Sequence, residues 1–431
     1  MSATTEEPVK EPVKAPKTSL AWIIGPGLIT GAADDDPSGI ATYSQAGAQF
    51  GNTTAWALIV TYPLMAGIQE ICALIGRVTG RGLAGNLIRR QPRFLVNLLI
   101  ALMVFANVCN LGADLGAMGA ALRLLIGGPS GFYVIAFAVV SVLLEIFLRY
   151  AHYANVLKWL SLSLLAYAAS LFVVHVPWQS VARAIVWPTI EPSGDYAEMI
   201  VAVLGTTISP YLFFWQAGLE VEEQQGEPGA EPLRVAPHQA PAEMRRIRWD
   251  TVAGMGLSNV IGLCIMITTA ATLNAHGVKD IQTASQAAEA LKPIAGRFAF
   301  LLFAGGIVGT GLLALPTFAG SAAYAIGEVA RWPVGLDRRP GHAKAFYGVI
   351  VVATIAGTAM NFMGVDPIKA LIWTAVLNGV AAAPIMAMVV RMASDRRVMG
   401  EFSITRGLAI NGWIGTAFMT AAVVVMFVTM V

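Results

Sequence analysis

The chain has 431 residues, of which 56% are hydrophobic and only 13% charged. A soluble domain carries roughly 25% charged residues, so this composition places most of the chain in a lipid bilayer. A net charge of +2 is too small to point to a nucleic-acid partner.

Three cysteines, Cys72, Cys109 and Cys264, stand singly in apolar stretches, and none of the five histidines falls in the middle of one. No disulfide framework or zinc site is indicated. Neither an enzyme nor a bound cofactor is expected.

Residues 1–18 are rich in Pro, Glu and Lys and read as a disordered cytoplasmic tail. They lack the apolar core and cleavage site of a signal peptide. Eleven apolar segments follow, at 19–50, 53–77, 95–126, 131–149, 154–175, 197–223, 250–273, 297–328, 345–363, 367–391 and 406–430. Each is long enough to cross about 30 Å of hydrocarbon. With the amino terminus in the cytoplasm, 22 of the 28 Lys and Arg residues fall inside and 6 outside. Inner loops carry such an excess, which supports this orientation, a multi-pass protein of the plasma membrane and an odd number of crossings. The inner stretch 224–249 is rich in Pro, Gly and Ala and is expected to be a flexible tether between two halves.

The first segment contains Gly31-Ala32-Ala33-Asp34-Asp35-Asp36-Pro37-Ser38-Gly39. A charge at the bilayer centre costs at least about 2.5–3.5 kcal/mol. Proline deletes a helix hydrogen bond and disfavours helical geometry in the residue before it. An unwound helix whose carboxylate and free carbonyls face a wet cavity satisfies both constraints. The alternative is a loop that follows a short re-entrant segment. The sixth segment contains Thr206-Thr207-Ile208-Ser209-Pro210-Tyr211, again with a proline inside an apolar run. A lone proline kink is usually structural. Two interruptions at matching places in two halves point instead to an inverted-repeat transporter with its site at the midplane.

At these residues the chain resembles the natural resistance-associated macrophage protein (NRAMP) family of divalent-metal transporters. The resemblance runs from Gly25-Pro26-Gly27 through the Asp-Pro break to Ala46-Gly47-Ala48-Gln49-Phe50-Gly51, and on to Val78-Thr79-Gly80-Arg81-Gly82-Leu83-Ala84. It implies an all-α, LeuT-type membrane fold: repeat one over 19–175, repeat two over 197–391, and an extra helix at 406–430. Family members carry Asp-Pro-Gly-Asn in the first helix and Met-Pro-His in the sixth, where Asp, Asn, Met and a carbonyl hold the metal. Carried over, Asp36 is the anionic ligand, Gly39 stands at the Asn position and Ser209 at the Met position. Tyr211 and Gln216 stand where the family has two histidines. With the soft thioether gone, the remaining donors are oxygens: Asp36, Ser209, Ser38, Thr207 and freed carbonyls. Such a set suits Mg²⁺, Ca²⁺ or Mn²⁺.

Proton-coupled members have acidic residues in the third helix, and Asp114 matches that position. It is read as a proton-path residue or as a carboxylate paired to a structural arginine. Asp34 and Asp35 are expected beside the break, in a structural role or on the access path, and Asn378 is a further candidate near the site. Glu220, Glu222 and Glu223 read as a solvated helix end or, alternatively, as a cation exit vestibule. The expected function is transport of a divalent cation by alternating access, with a possible coupling ion. The alternatives are a transporter of a small organic or other ionic solute on the same fold, and a channel or membrane sensor.

Overall fold

The computed structural model describes residues 25–147, 165–292 and 296–430, and all the regular structure there is helical. The first apolar segment is two helices, α1 (Pro26–Asp34) and α2 (Pro37–Phe50). Next come α3 (Ala55–Thr79), α4 (Leu83–Leu87), α5 (Arg93–Ile126), α6 (Ser130–Phe147), α7 (Leu165–Ser170) and α8 (Trp178–Val186). The sixth segment is divided in the same way, into α9 (Gly194–Thr207) and α10 (Pro210–Gly226). The chain continues as α11 (Ala240–Thr272), α12 (Ala284–Glu289), α13 (Ala299–Ala330), α14 (Lys344–Met360), α15 (Pro367–Ser394), α16 (Arg396–Met399) and α17 (Arg406–Thr429).

Both breaks have a local cause. Asp36 is extended (φ −75°, ψ 171°) and its side chain caps α2, which starts on Pro37. A proline at the first helical position lacks only an N–H that has no partner there anyway. Ser209 is extended as well (φ −90°, ψ 131°), and α10 starts on Pro210. Proline alone does not break these helices, since Pro63, Pro316 and Pro384 lie inside the continuous α3, α13 and α15. A capping or hydroxyl residue directly before the proline marks the two sites that unwind.

Among the described residues, eight helical stretches are long and apolar enough to cross a membrane. The halves α1 and α2, at 9 and 14 residues, are too short to do so singly. Half of the expected fifth segment, residues 154–164 of 154–175, lies outside the described residues.

The broken helices lie at the centre. α1 and α2 pack along α11, α10 packs along α3, α9 along α15, and α5 crosses α13. The α1–α11 crossing is close enough to require glycine, because a Cβ on Gly31 would come within 2.3 Å of the Gly254 backbone. On α6 the apolar face is turned outward: Val134, Ala138, Ser141 and Glu145 are buried, while Ile135, Val139, Leu143 and Phe147 are exposed. In lipid that is the favourable arrangement.

The stretch 224–249 differs from the expected flexible tether. Leu233 is fully buried, and the backbone N–H groups of Leu233 and Arg234 donate to the carbonyls of Arg77 and Val78. The helix α11 already begins at Ala240. Composition carried the loop signal but not the pairing with the end of α3.

Candidate functional site at the two helix breaks

Asp36 sits in the first break with 1% of its surface exposed. Its Oδ1 accepts from the Gly39 N–H (2.6 Å) and the Ser38 hydroxyl (2.8 Å). Its Oδ2 accepts from the Tyr211 hydroxyl of α10 at 3.3 Å. Tyr211 is held by Phe318 of α13, with ring centroids 4.3 Å apart. The carboxylate therefore joins the two breaks, and its oxygens keep lone pairs beyond these bonds.

Gly39 marks where further oxygens converge. A Cβ there would stand 3.3 Å from Thr206 Oγ1, 3.4 Å from Asp36 Oδ1 and 3.5 Å from the Asp34 carbonyl oxygen. Thr206 Oγ1 is buried and has no hydrogen-bond partner. Burying a hydroxyl unpaired costs about 1–3 kcal/mol, so this atom is a ready donor to a visiting ion. In the sequence Thr206 shows only as part of the run of hydroxyls before Pro210, in which Thr207 and Ser209 are the expected donors. Their hydroxyls turn back onto their own helix: Ser209 donates to the Gly205 carbonyl (2.6 Å) and Thr207 to the Val203 carbonyl (2.5 Å). Thr207 also meets the Tyr43 hydroxyl at 3.2 Å.

The other acidic candidates surround this point. Ser258 of α11 lies 2.6 Å from Asp34 Oδ2 and 3.0 Å from Asp35 Oδ1, and its single proton serves one of them at a time. Asp114 of α5 is fully buried, and neither of its carboxylate oxygens has a hydrogen-bond partner. Asn378 pairs with Asn110 across α15 and α5 (3.2 Å), and Gln216 donates to Thr251 (2.8 Å). Among the described residues, no Lys or Arg forms an ion pair with Asp34, Asp35, Asp36 or Asp114. No three His, Cys, Asp or Glu side chains converge as a metal cage there either. A cation at Asp36 would meet one carboxylate, neutral oxygens and water.

Packing and hydrogen bonds tie both flanks of the site among the described residues. On one side a cavity of only about 10 Å³ remains between α2, α5, α12, α13 and α15, about the room one water needs. Gln45 of α2 ties down the segment before α12 through the Ile281 N–H (2.9 Å) and the Lys279 carbonyl (3.1 Å). On the other side Asp250 of α11 accepts from the N–H groups of Gly25, Gly27 and Leu28 at the start of α1. Arg246, one turn earlier, pairs with Glu220 (2.6 Å) and Glu223 (3.3 Å) of α10 and with Glu243 (3.0 Å). The solvated helix end expected at Glu220, Glu222 and Glu223 is thus largely a buried clasp. Glu220 is fully buried, and Glu222 accepts from the Tyr324 hydroxyl and the Leu336 N–H.

Residues 27–429 match the family model described as natural resistance-associated macrophage protein-like. The divalent metal cation transporter MntH of Klebsiella pneumoniae (strain 342) is 25% identical over 414 residues, covering 94% of each chain. MntH of Mycobacterium tuberculosis (strain H37Rv) is 25% identical over 408 residues, covering 92% of this chain and 90% of the relative. Among solved structures, a manganese transporter of Eremococcus coleocola superposes with a TM-score of 0.74 at 17% identity, covering 97% of this chain and 88% of that one. Mhp1, a nucleobase-cation-symport-1 family transporter, superposes with a TM-score of 0.53 at 13% identity, covering 94% and 92%. These likenesses establish an all-α, LeuT-type fold. The chain is a multi-pass membrane transporter, not an enzyme, and belongs to the natural resistance-associated macrophage protein family.

Proposed function

We propose that this protein moves a divalent metal cation across the plasma membrane by alternating access, taking a hard ion such as Mg²⁺ or Mn²⁺ at the two helix breaks. One observation carries the reading: the carboxylates of Asp34, Asp35, Asp36 and Asp114 lie buried around the breaks, and among the described residues none of these four has a basic partner. Their charge must be offset by cations or protons that come and go. The relatives named as divalent metal cation and manganese transporters support the same cargo.

In this mechanism Asp36 supplies the negative charge, and the Asp34 carbonyl and Thr206 hydroxyl supply neutral oxygens from the two breaks. Ser38, Thr207 and Ser209 line the same unwound backbone, and their lone pairs remain available to the ion or its waters. Gly39 adds no side-chain donor to the set, so water would complete the ion's shell in this reading. A partly hydrated Mg²⁺ binds in that manner, through one or two carboxylates and retained waters. Asp114, Asp35 and Asp34 form a path for a coupling ion or for access, flanked by Asn378, Tyr211 and Gln216. Rocking of one helix group against the other, with repeat one at 19–175 and repeat two at 197–391, would open the ends alternately around the fixed site. The excess of Lys and Arg in the loops on the Arg246 side supports a cytoplasmic position for that end and for the amino terminus.

The test is uptake into proteoliposomes of Mg²⁺, Mn²⁺ and Ca²⁺, with calorimetric binding of the same ions. Wild type is expected to bind and carry at least one of them, and Asp36→Ala none. Transport by Asp36→Ala at the wild-type rate would overturn the assignment. So would a wild type that carries no divalent ion but tightly binds an organic solute.

A further inference from the structure

The bundle has a second charged feature, opposite in sign and separate from the breaks. Two cavities of about 510 Å³ and 300 Å³ lie side by side at the end that carries the Arg246 clasp. Together they are lined by Arg81, Arg89, Arg90, Arg234, Arg391 and Arg397, and both are lined by Arg89, Arg90 and Arg397. Among the described residues the only acidic side chain lining them is Asp395. Its Oδ1 is engaged by the Arg397 N–H at 2.8 Å, where it caps α16. Among the described residues, none of the six guanidiniums is ion-paired to a carboxylate.

An excess of arginine at one face of a membrane protein needs only the positive-inside tendency. That tendency does not require six exposed guanidiniums from α4 and its approach, the 231–236 loop and α15–α16 to converge on one open recess. Here they are also positioned by the backbone. Arg90 Nη2 donates to the Arg397 carbonyl (3.0 Å) and Arg234 Nη1 to the Val398 carbonyl (2.9 Å). Each keeps further N–H donors free. The crowding is felt at Arg81, which is held below its ordinary guanidinium value first by burial and then by the charges of Arg89 and Arg234. Like charges gathered without counterions in a recess call for an anion, and arginine forks match phosphate oxygens in pairs.

The depth of the recess indicates the source of that anion. Leu87 and Met392 form part of its wall. Immediately beyond Gln91, at the start of α5, Phe94 is 80% exposed and Leu98 54%. These side chains face hydrocarbon, so the arginines stand where headgroups lie. We propose that this recess binds a phosphate group, supplied by the headgroup of an anionic phospholipid. Such a lipid would tie α4, the 231–236 loop and α15–α16 together at the membrane surface.

The full chain, purified in detergent and stripped of lipid, is titrated with phosphatidylglycerol and with phosphatidylcholine of the same acyl chains, and bound lipid is counted by native mass spectrometry. Phosphatidylglycerol is expected to bind in preference to phosphatidylcholine. Its affinity should fall about thirtyfold in the double variant Arg81→Gln/Arg89→Gln, as expected for two surface charges, with phosphatidylcholine binding unchanged. Arg89→Gln alone should lose about fivefold and serves if the double variant does not purify. Arg183→Gln, in the cavity at the opposite end, should change nothing. A calorimetric arm uses inorganic phosphate alone. Saturable binding that the Arg89 variant abolishes, without any lipid preference, would keep the phosphate site and assign it to a soluble anion. Equal binding of the two lipids together with no heat from phosphate would overturn the proposal, as would a lipid preference untouched by the variants.

Discussion

The two breaks are alike in backbone and opposite in chemistry. At the first, three consecutive carboxylates interrupt the helix, and Asp36 folds back to cap the next helix while an oxygen still faces Tyr211. At the second there is no charge at all: Thr206, Thr207 and Ser209 precede Pro210, and two of the three hydroxyls are engaged by carbonyls one turn back. The first break therefore supplies electrostatic attraction, and the second supplies dipoles and shape. A dication and a carboxylate 4 Å apart attract by about 8 kcal/mol at an effective dielectric of 20, before desolvation is subtracted. A neutral hydrogen-bonding group contributes about 1 kcal/mol. The larger share of the site's affinity should come from the first break, and substitutions at Asp36, Thr206 and Ser209 measure the division.

Loss of Asp36 is the largest effect, abolishing divalent uptake, because nothing at the second break replaces its charge. Next is Arg246→Ala. Arg246 joins α10 directly through Glu220 and lies beside Asp250, which holds the start of α1 (Nη1–Oδ2 4.0 Å). Among the described residues it is the one basic side chain whose ion pairs reach the supports of both broken helices. Removing it leaves Glu220 buried without its partner, at a cost of about 3–5 kcal/mol. The thermal unfolding midpoint in detergent should drop markedly, and a companion Glu220→Gln should drop it less. An unchanged midpoint for Arg246→Ala would mean that the clasp is loose and the two breaks are not mechanically joined there. Thr206→Val, a nearly isosteric loss of one oxygen, should weaken ion binding about tenfold and leave stability unchanged or slightly higher. If it lowers stability without altering binding, Thr206 belongs to packing and the second break contributes backbone alone.

Much of this architecture is legible in the chain. Carboxylates and a proline inside an apolar run have few solutions in lipid, and the break at Asp35–Asp36 follows from that scarcity. The interior prolines show the limit of the inference, since Pro63, Pro316 and Pro384 carry the same letter in helices that continue. What the chain does not display is convergence. The meeting of Thr206 Oγ1 with Gly39 depends on the register between α9 and α2, and Ser258 reaches two aspartates from more than 220 positions away. The glutamates of α10 looked solvated because their partner Arg246 lies beyond a Pro- and Gly-rich stretch whose folded path composition does not reveal.

The smallest predicted effect probes the second break most directly. Ser209 is the residue that the resemblance sets at the family's methionine, and its hydroxyl is held by the Gly205 carbonyl at 2.6 Å. Ser209→Ala should therefore change binding little, since the oxygen it removes is already engaged. Ser209→Met does something different, because a thioether has no reason to stay on that carbonyl and its sulfur would favour softer ions over Mg²⁺. The ratio of Mn²⁺ to Mg²⁺ affinity should rise about fivefold, a shift of about 1 kcal/mol, read by competition calorimetry on the same preparation. An equal gain or loss for both ions would mean that residue 209 alters the shape of the break without touching the ion. The selectivity would then have to come from the first break, where the Asp36 carboxylate and the missing side chain at Gly39 would set how much hydration the cargo keeps.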